Sequence, residues 1–296
     1  MVISLILDTD LGDDVDDAFA LAFAIRHPQI DVRAITTVLG DTQWRAALVL
    51  RVLDDLKTSG IPVAAGAPRG ERREPTRSGD VLLPLGSDDP RRDPRPAWDL
   101  MADVLAHETH PIWLVTIGPA TNAARLIAER PESAQRLAGI VMMGGRHDPD
   151  NMWEHNFSSN PEAASTVCNS GLNVRVADYV ISSQARLLRD DLSRIHNAPG
   201  VGPSLATMLT TYLDRRQCDW TSMYDPAALM LALGEQYLTL DSTRMRAVVL
   251  DGQVEFQATA EGPAGFRIAS TIKAEAVRES LLQVIEQPTP RASELQ

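Results

Sequence analysis

Six aspartates fall within ten residues near the start of the chain: Asp8, Asp10, Asp13, Asp14, Asp16 and Asp17. Carboxylates this close repel one another unless a cation or strong donors offset the charge. Two offsets are open. Amides at a helix N-terminus satisfy one or two acids, and water solvates the remainder. A hard cation instead takes roughly six to eight oxygens from carboxylates, carbonyls and water, which accounts for the whole group. Calcium fits that description. Zinc would ask for His or Cys, and neither occurs in this run.

These residues need elements to position them. Val2–Leu7 is a short apolar run that ends at Asp8, as a buried strand would. Ala18–Ile25 is apolar on every side and stops before His27-Pro28, which predicts a buried helix. On a helix starting near Asp13, Asp13 and Asp17 share a face, as do Asp14 and Asp17. Further along, strands are expected at Val32–Val38, Pro62–Ala65, Ile112–Ile117, Ile140–Met143 and Leu172–Val176. Helices are expected at Thr42–Leu56, Ala97–His107, Thr121–Glu129 and Pro161–Cys168. Strands alternating with helices predict an α/β fold: a mostly parallel central sheet flanked by helices. Ligands of such sheets bind beyond the carboxyl ends of the strands.

Residues 1–286 read as one domain. Within it Pro68–Pro96 is rich in Arg, Asp, Pro and Gly and is expected to be a mobile lid loop, with plain disorder as the other reading. Arg189–Pro203 is a second loop candidate, and Gln287–Gln296 a disordered tail. A net charge of −12 argues against nucleic acid or an anionic membrane as partner. Two cysteines, Cys168 and Cys218, cannot build a disulfide framework, which favours a reducing, cytoplasmic setting. The opening residues lack the basic start and long apolar core of a signal peptide. No stretch has the length of a membrane span.

Ile6-Leu-Asp-Thr-Asp-Leu-Gly12, followed by Val15-Asp-Asp-Ala-Phe-Ala-Leu21, resembles the signature of the inosine–uridine nucleoside hydrolase family, Asp-x-Asp-x-Gly-x-Asp-Asp-Ala-x-Ala. Here two extra residues precede the final Asp-Asp pair. With a gap, the resemblance makes Asp10 and Asp17 calcium ligands and sets Asp16 on ribose. Without one it sets Asp14 on ribose and puts Val15, which cannot ligate, at the metal. The gapped match is preferred. Ala34-Ile-Thr-Thr-Val-Leu-Gly-Asp41 resembles a family strand ending Gly-Asn, which implies a substrate contact for Asp41; a helix cap is the other reading. Leu114-Val-Thr-Ile-Gly-Pro-Ala-Thr-Asn122 is similar to the family's Gly-Pro-Leu-Thr-Asn, implying a calcium-binding carbonyl at Ile117. Thr121 would cap the helix there.

Val141-Met-Met-Gly-Gly145 resembles the next strand end. Trp153-Glu-His-Asn156 and Asn160-Pro-Glu-Ala-Ala164 resemble Glu-Phe-Asn and Asp-Pro-Glu-Ala-Ala. Glu154 and Asn156 thereby inherit ribose hydroxyls, and Asn151 stands for an upstream Asn. In an extended segment Glu154 and Asn156 would point one way and His155 the other. Asn160-Pro161 reads as a helix cap with Pro in the first turn. Met223-Tyr-Asp-Pro-Ala-Ala228 resembles the family's His-Asp segment. Asp225 becomes the last calcium ligand, with helix capping as the plainer reading. Tyr224 replaces the His and either stacks on the base or packs in the core. The resemblance also implies the nucleoside hydrolase fold and a homo-oligomer, dimer or tetramer.

The implied chemistry is hydrolysis of the N-glycosidic bond of a ribonucleoside. Asp10 is the general base, while Asp16 and Glu154 are anions beside a sugar that becomes positive. Groups on the base side depart from the family: no His precedes Asp225, and Ser78-Gly79 is the nearest match to a loop His-Gly. His147, His155 or an arginine of the 68–96 segment would have to protonate the base. Alternatively a purine leaves by stacking, so an atypical base preference is expected. Two competing readings differ in class. One is a haloacid-dehalogenase-type phosphatase with Asp8 as nucleophile and magnesium, against which Gly12 and the placement of Lys57 and Lys273 count. The other is a nucleoside-binding protein that kept the metal site without turnover.

Overall fold

The computed structural model describes residues 2–68, 89–148 and 153–288. Among the described residues thirteen strands run in chain order: β1 (Ile3–Thr9), β2 (Ile30–Thr37), β3 (Val63–Ala65), β4 (Arg92–Asp93), β5 (Ile112–Thr116), β6 (Leu137–Met143), β7 (Val174–Ala177), β8 (Arg186–Leu188), β9 (Trp220–Ser222), β10 (Leu238–Leu240), β11 (Met245–Leu250), β12 (Gln253–Ala258) and β13 (Phe266–Ile272). Nine of them form one sheet in the order β10-β13-β7-β6-β5-β1-β2-β3-β4. Every pair in it is parallel except β10–β13 at one edge. The expected mostly parallel sheet flanked by helices is what the chain builds.

Strand alternation sends the apolar residues of β1 to both faces. Leu5 and Leu7 join a core that includes helix Asp16–Arg26, whereas Ile6 joins a second core with helices Ala97–His107 and Thr121–Glu129. Each fully buried Leu or Phe contributes roughly 1.5–3 kcal/mol relative to exposure. All eleven residues of helix Asp16–Arg26 are buried, its two aspartates included. An all-round buried helix has no solvent face for those acids, so they must meet a partner inside the protein.

Two expectations about loops need correction. Residues 189–203 are mostly helical: a 3-10 turn at Arg189–Asp191, a helix at Leu192–Asn197 and the start of helix Gly202–Arg216. Arg278 holds Asp191 there, and Arg194 bridges to Glu279 (2.9 Å). Within the 68–96 segment, Arg92–Asp93 pairs with Val63–Ala65 as the last strand of the sheet. Residues 69–88 of the expected lid, 289–296 of the expected tail and Asn151 lie outside the described residues.

Past residue 240 the hairpin β11–β12 turns at Asp251-Gly252, both with positive φ (50° and 71°). Asp-Gly is the dipeptide that favours this type of turn. Phe256 of the hairpin meets Phe157 edge-on at 6.0 Å and so buttresses the loop carrying Glu154.

Candidate active site

A cavity of about 140 Å³ opens beyond the carboxyl ends of the parallel strands. Asp10 follows β1, Ile117 follows β5, Met143 ends β6 and Tyr179 follows β7, and all four line it. The aspartate turn contributes Asp10, Asp13, Asp14, Asp16 and Asp17, and Asp225 joins them from helix Tyr224–Met230.

The turn is held from below. Thr9 Oγ1 accepts from Leu11 N (3.0 Å) and donates to Asp17 Oδ1. The buried Arg45 guanidinium donates to the carbonyls of Leu39 (2.7 Å), Leu11 (3.0 Å) and Asp10, and to Asp13 Oδ2 (2.8 Å). Gly118 leaves room for Asp10, since a Cβ there would stand 2.8 Å from Asp10 Oδ1. Helix formation begins at Asp16, not near Asp13, because Asp13 and Asp14 remain in the turn. Val15 packs into the hydrophobic core and leaves the cavity to its acidic neighbours.

Asp16, Asp17 and Asp225 are each under 5% exposed. Burial, and then the neighbouring aspartates, push all three carboxyls well above the ordinary range. Asp16 Oδ2 accepts from Asp225 N (3.2 Å), which fastens the start of one helix to the start of the other. Asp225 does not cap its helix; Met223 is the cap residue.

Across the cavity Glu154 caps the short helix His155–Ser159. Its Oε1 accepts from Asn156 N (2.8 Å), and its Oε2 from Gly145 N (2.8 Å) and Phe157 N (3.0 Å). Burial raises its carboxyl against the pull of these amides. The segment is therefore helical beyond Glu154, not extended, and His155 turns toward the aspartates with Nε2 3.6 Å from Asp10 Oδ2. Asn156 Nδ2 donates to the carbonyls of Ile117 (3.0 Å) and Met143 (3.2 Å). The outer wall is aromatic. Tyr224 stacks on Tyr179 (5.4 Å, 24°), Arg146 lies 4.7 Å over the Tyr179 ring, and Trp153 stands half exposed at the mouth.

Other expected residues fall elsewhere. Asp41 is exposed, caps helix Thr42–Asp55 by accepting from Trp44 N (3.0 Å), and is not among the described residues lining the cavity. Thr121 is not a cap; Ala120 holds that position, and Thr121 Oγ1 accepts from Asn160 Nδ2 (3.0 Å). Asn160 does cap its helix, with Pro161 in the first turn. His147 stacks on Phe256 (6.2 Å) and is not among the lining residues. Asp8 sits behind the site, fully buried, accepting from Thr36 Oγ1 (2.6 Å) and Asn122 Nδ2 (2.8 Å), and burial lifts it to about 7.

Arg45 and Tyr179 went unanticipated in the sequence. An arginine on the otherwise apolar stripe of helix Thr42–Asp55 was the available signal for the first. Tyr179 carried none beyond its place after a strand.

Buried carboxylates from two helix starts border the same cavity, and one oxygen each of Asp14, Asp16 and Asp17 lie within 4.8 Å of one another, an all-oxygen cluster that suits a hard divalent cation. The sequence matches the inosine-uridine preferring nucleoside hydrolase family over residues 5–279. The chain belongs to that family. As a nucleoside hydrolase it is an enzyme that hydrolyses N-glycosidic bonds. Among its relatives, the pyrimidine-specific ribonucleoside hydrolase RihA of Salmonella arizonae is 36% identical, with 72% of this chain and 71% of that one covered. The protein of the same name from Escherichia coli is 35% identical over the same shares. In fold, this nucleoside hydrolase matches the purine-preferring ribonucleoside hydrolase from Gardnerella vaginalis (TM-score 0.83, 21% identity, 96% and 98% covered). An inosine-guanosine nucleoside hydrolase matches equally (TM-score 0.83, 21% identity, 97% and 99% covered). No helix among the described residues is long and apolar enough to cross a membrane.

Proposed function

We propose that the protein hydrolyses a ribonucleoside with calcium held by Asp10, Asp17, Asp225 and the Ile117 carbonyl. The observation that carries this reading is the convergence of those carboxylates on one cavity, opposite the amide-bound Glu154 carboxylate. Calcium there supplies Lewis acidity and a grip on sugar hydroxyls. Asp10 takes the proton of the attacking water. Its carboxylate suits that role because Gly118 gives it space and Arg45 fixes its backbone. Asp16, Glu154 and Asn156 hold the ribose, with Asp14 beside Asp16 as the alternative ribose contact. The core position of Val15 favours the gapped assignment, in which Asp17 ligates. Glu154, already neutralised in part by three amides, stabilises positive charge on the sugar more as that charge develops.

On the base side we propose a preference unlike that of the pyrimidine-specific relatives, for a purine or another extended base. Trp153 and Tyr224 offer it ring faces, with Tyr179 backing Tyr224, and offset stacking contributes about 0.5–1.5 kcal/mol beyond buried area. A panel of purine and pyrimidine ribonucleosides, assayed for base release with calcium and with chelator, tests both parts. Release that needs calcium and favours purines supports the reading. Release of uracil from uridine with no preference among bases removes the base assignment. Release undiminished by chelator removes the calcium assignment.

A further inference from the structure

The base-side wall of the cavity is braced from outside. Tyr224, which borders the cavity, stacks on Tyr179 at 5.4 Å and 24°. Tyr179 in turn carries the Arg146 guanidinium, 4.7 Å from its ring centroid. A guanidinium over a ring is attracted by the negative charge of the ring face. Arg146 is not among the described residues lining the cavity, so its path to a bound substrate runs through these two rings.

The guanidinium is itself tethered. Its Nε and Nη2 both donate to Asp148 Oδ2, at 3.1 and 2.9 Å, and neither side chain is freely exposed (22% and 28%). The backbone of the same stretch is laced to the turn that carries Tyr179. Tyr179 N donates to the Gly145 carbonyl (2.9 Å), and His147 N donates to Asp178 Oδ2 (2.8 Å). These bonds join the ends of neighbouring strands β6 and β7, whose last pair is Met143 with Ala177.

Gly145 works in both directions, because its N–H donates to Glu154 Oε2 (2.8 Å). It adopts φ of 75°, and a Cβ there would stand 2.5 Å from Phe256, so the position requires glycine. One loop therefore fixes the ribose-side carboxylate with its backbone and the base-side ring with a side chain. A ring that must be ordered when a ligand arrives subtracts from affinity, whereas a ring ordered beforehand does not.

We propose that Arg146 is a positioning residue for base recognition: held by Asp148, it pins the Tyr179 ring, and Tyr179 presents Tyr224 to the nucleobase in a fixed plane. The proposal rests on the reading that a purine stacks on Tyr224, and it adds the residue that sets the strength of that stacking. A two-ring base covers more of Tyr224 than a one-ring base, so Arg146 contributes more to a purine than to a pyrimidine.

The test compares wild type, Arg146→Met and Arg146→Lys, each full-length and saturated with calcium. It reads kcat and KM on inosine and on uridine, and the Ki of D-ribose, which has no base. Methionine keeps the stem and removes the cation, while lysine restores a cation at the ring. In Arg146→Met the KM for inosine rises about two- to fivefold, the range that one exposed cation–π contact supplies. The KM for uridine rises less, kcat changes little, and the Ki of ribose keeps its wild-type value. That split marks binding lost on the base side alone, whereas a disordered site would raise the ribose Ki and lower kcat as well. Arg146→Lys recovers most of the loss. The proposal is overturned if Arg146→Met binds inosine as wild type does, if the ribose Ki rises in step with KM, or if Arg146→Lys is no better than Arg146→Met. Wild type that releases no base from inosine removes the purine reading separately. Inosine is then not consumed, and its Kd from equilibrium dialysis decides the role of Arg146: about two- to fivefold weaker binding by Arg146→Met supports it, and equal binding overturns it.

Discussion

Arg45→Met tests how the aspartate turn is held. The guanidinium is 1% exposed and meets four oxygens, three of them backbone carbonyls of residues 10, 11 and 39. The fourth is Asp13 Oδ2, on a side chain that is 17% exposed. Methionine fills the space of the stem and removes every donor. Each buried acceptor left unpaired costs about 1–3 kcal/mol, and breaking a buried ion pair costs about 3–5 kcal/mol. These losses overlap because one side chain makes them all, and the carbonyls can relax toward solvent in the cavity. The net destabilisation is therefore placed at about 3–5 kcal/mol. Asp13→Asn in the Arg45→Met background removes the stranded charge, so the pair should show a coupling of about 1–3 kcal/mol. Denaturant unfolding of the four proteins at fixed calcium closes the cycle. A loss under about 1 kcal/mol for Arg45→Met, or strict additivity with Asp13→Asn, would refute the idea that this arginine holds the turn.

Further outcomes follow from the same geometry. Chelation should lower the melting temperature, and calcium at a hundredfold its Kd should restore about 2.7 kcal/mol; equal melting curves with and without chelator would contradict a metal bound among these acids. Asn122→Ala strands Ala67 N, which Asn122 Oδ1 holds at 2.9 Å, and removes one partner of Asp8. It should cost about 1–3 kcal/mol for each group left unpaired, read by denaturant unfolding, and a neutral result would mean the network is dispensable. Glu154→Gln should lower kcat by more than about tenfold with KM little changed, the pattern of an interaction that strengthens in the transition state. A raised KM at constant kcat would instead make Glu154 a plain binding group.

Helices Ala97–His107, Thr121–Glu129 and Pro161–Cys168 were legible in the sequence to the residue, because apolar spacing and flanking turn residues agree there. The parallel sheet followed from the alternation of strand and helix. The hairpin after residue 240 was missed although Asp251-Gly252 marks its turn. Within the site, residues on a strand end or in a dense motif could be read: the aspartate turn, Ile117, Glu154, Asn156 and Asp225 all border one cavity. What could not be read depends on tertiary direction. The turn after Glu154 swings His155 toward Asp10, and an extended segment would have sent it away. Arg45 is thirty-five residues from Asp10 in sequence, and only the packing of helix Thr42–Asp55 brings its guanidinium beneath the turn. Asp41 closed a motif in the sequence, and in the structure its Oδ1 caps the helix that follows, the plainer of the two readings it allowed.

The most direct test of the account compares wild type and Asp10→Ala, both saturated with calcium, for ribose released from a purine ribonucleoside and for binding of that nucleoside. The account predicts turnover by wild type, a fall in kcat of about 10²–10⁴-fold or more in the variant, and nucleoside binding that survives the change. Equal rates in the two proteins would contradict the role of Asp10. Binding by wild type with no release of base from any ribonucleoside would contradict the proposed reaction itself.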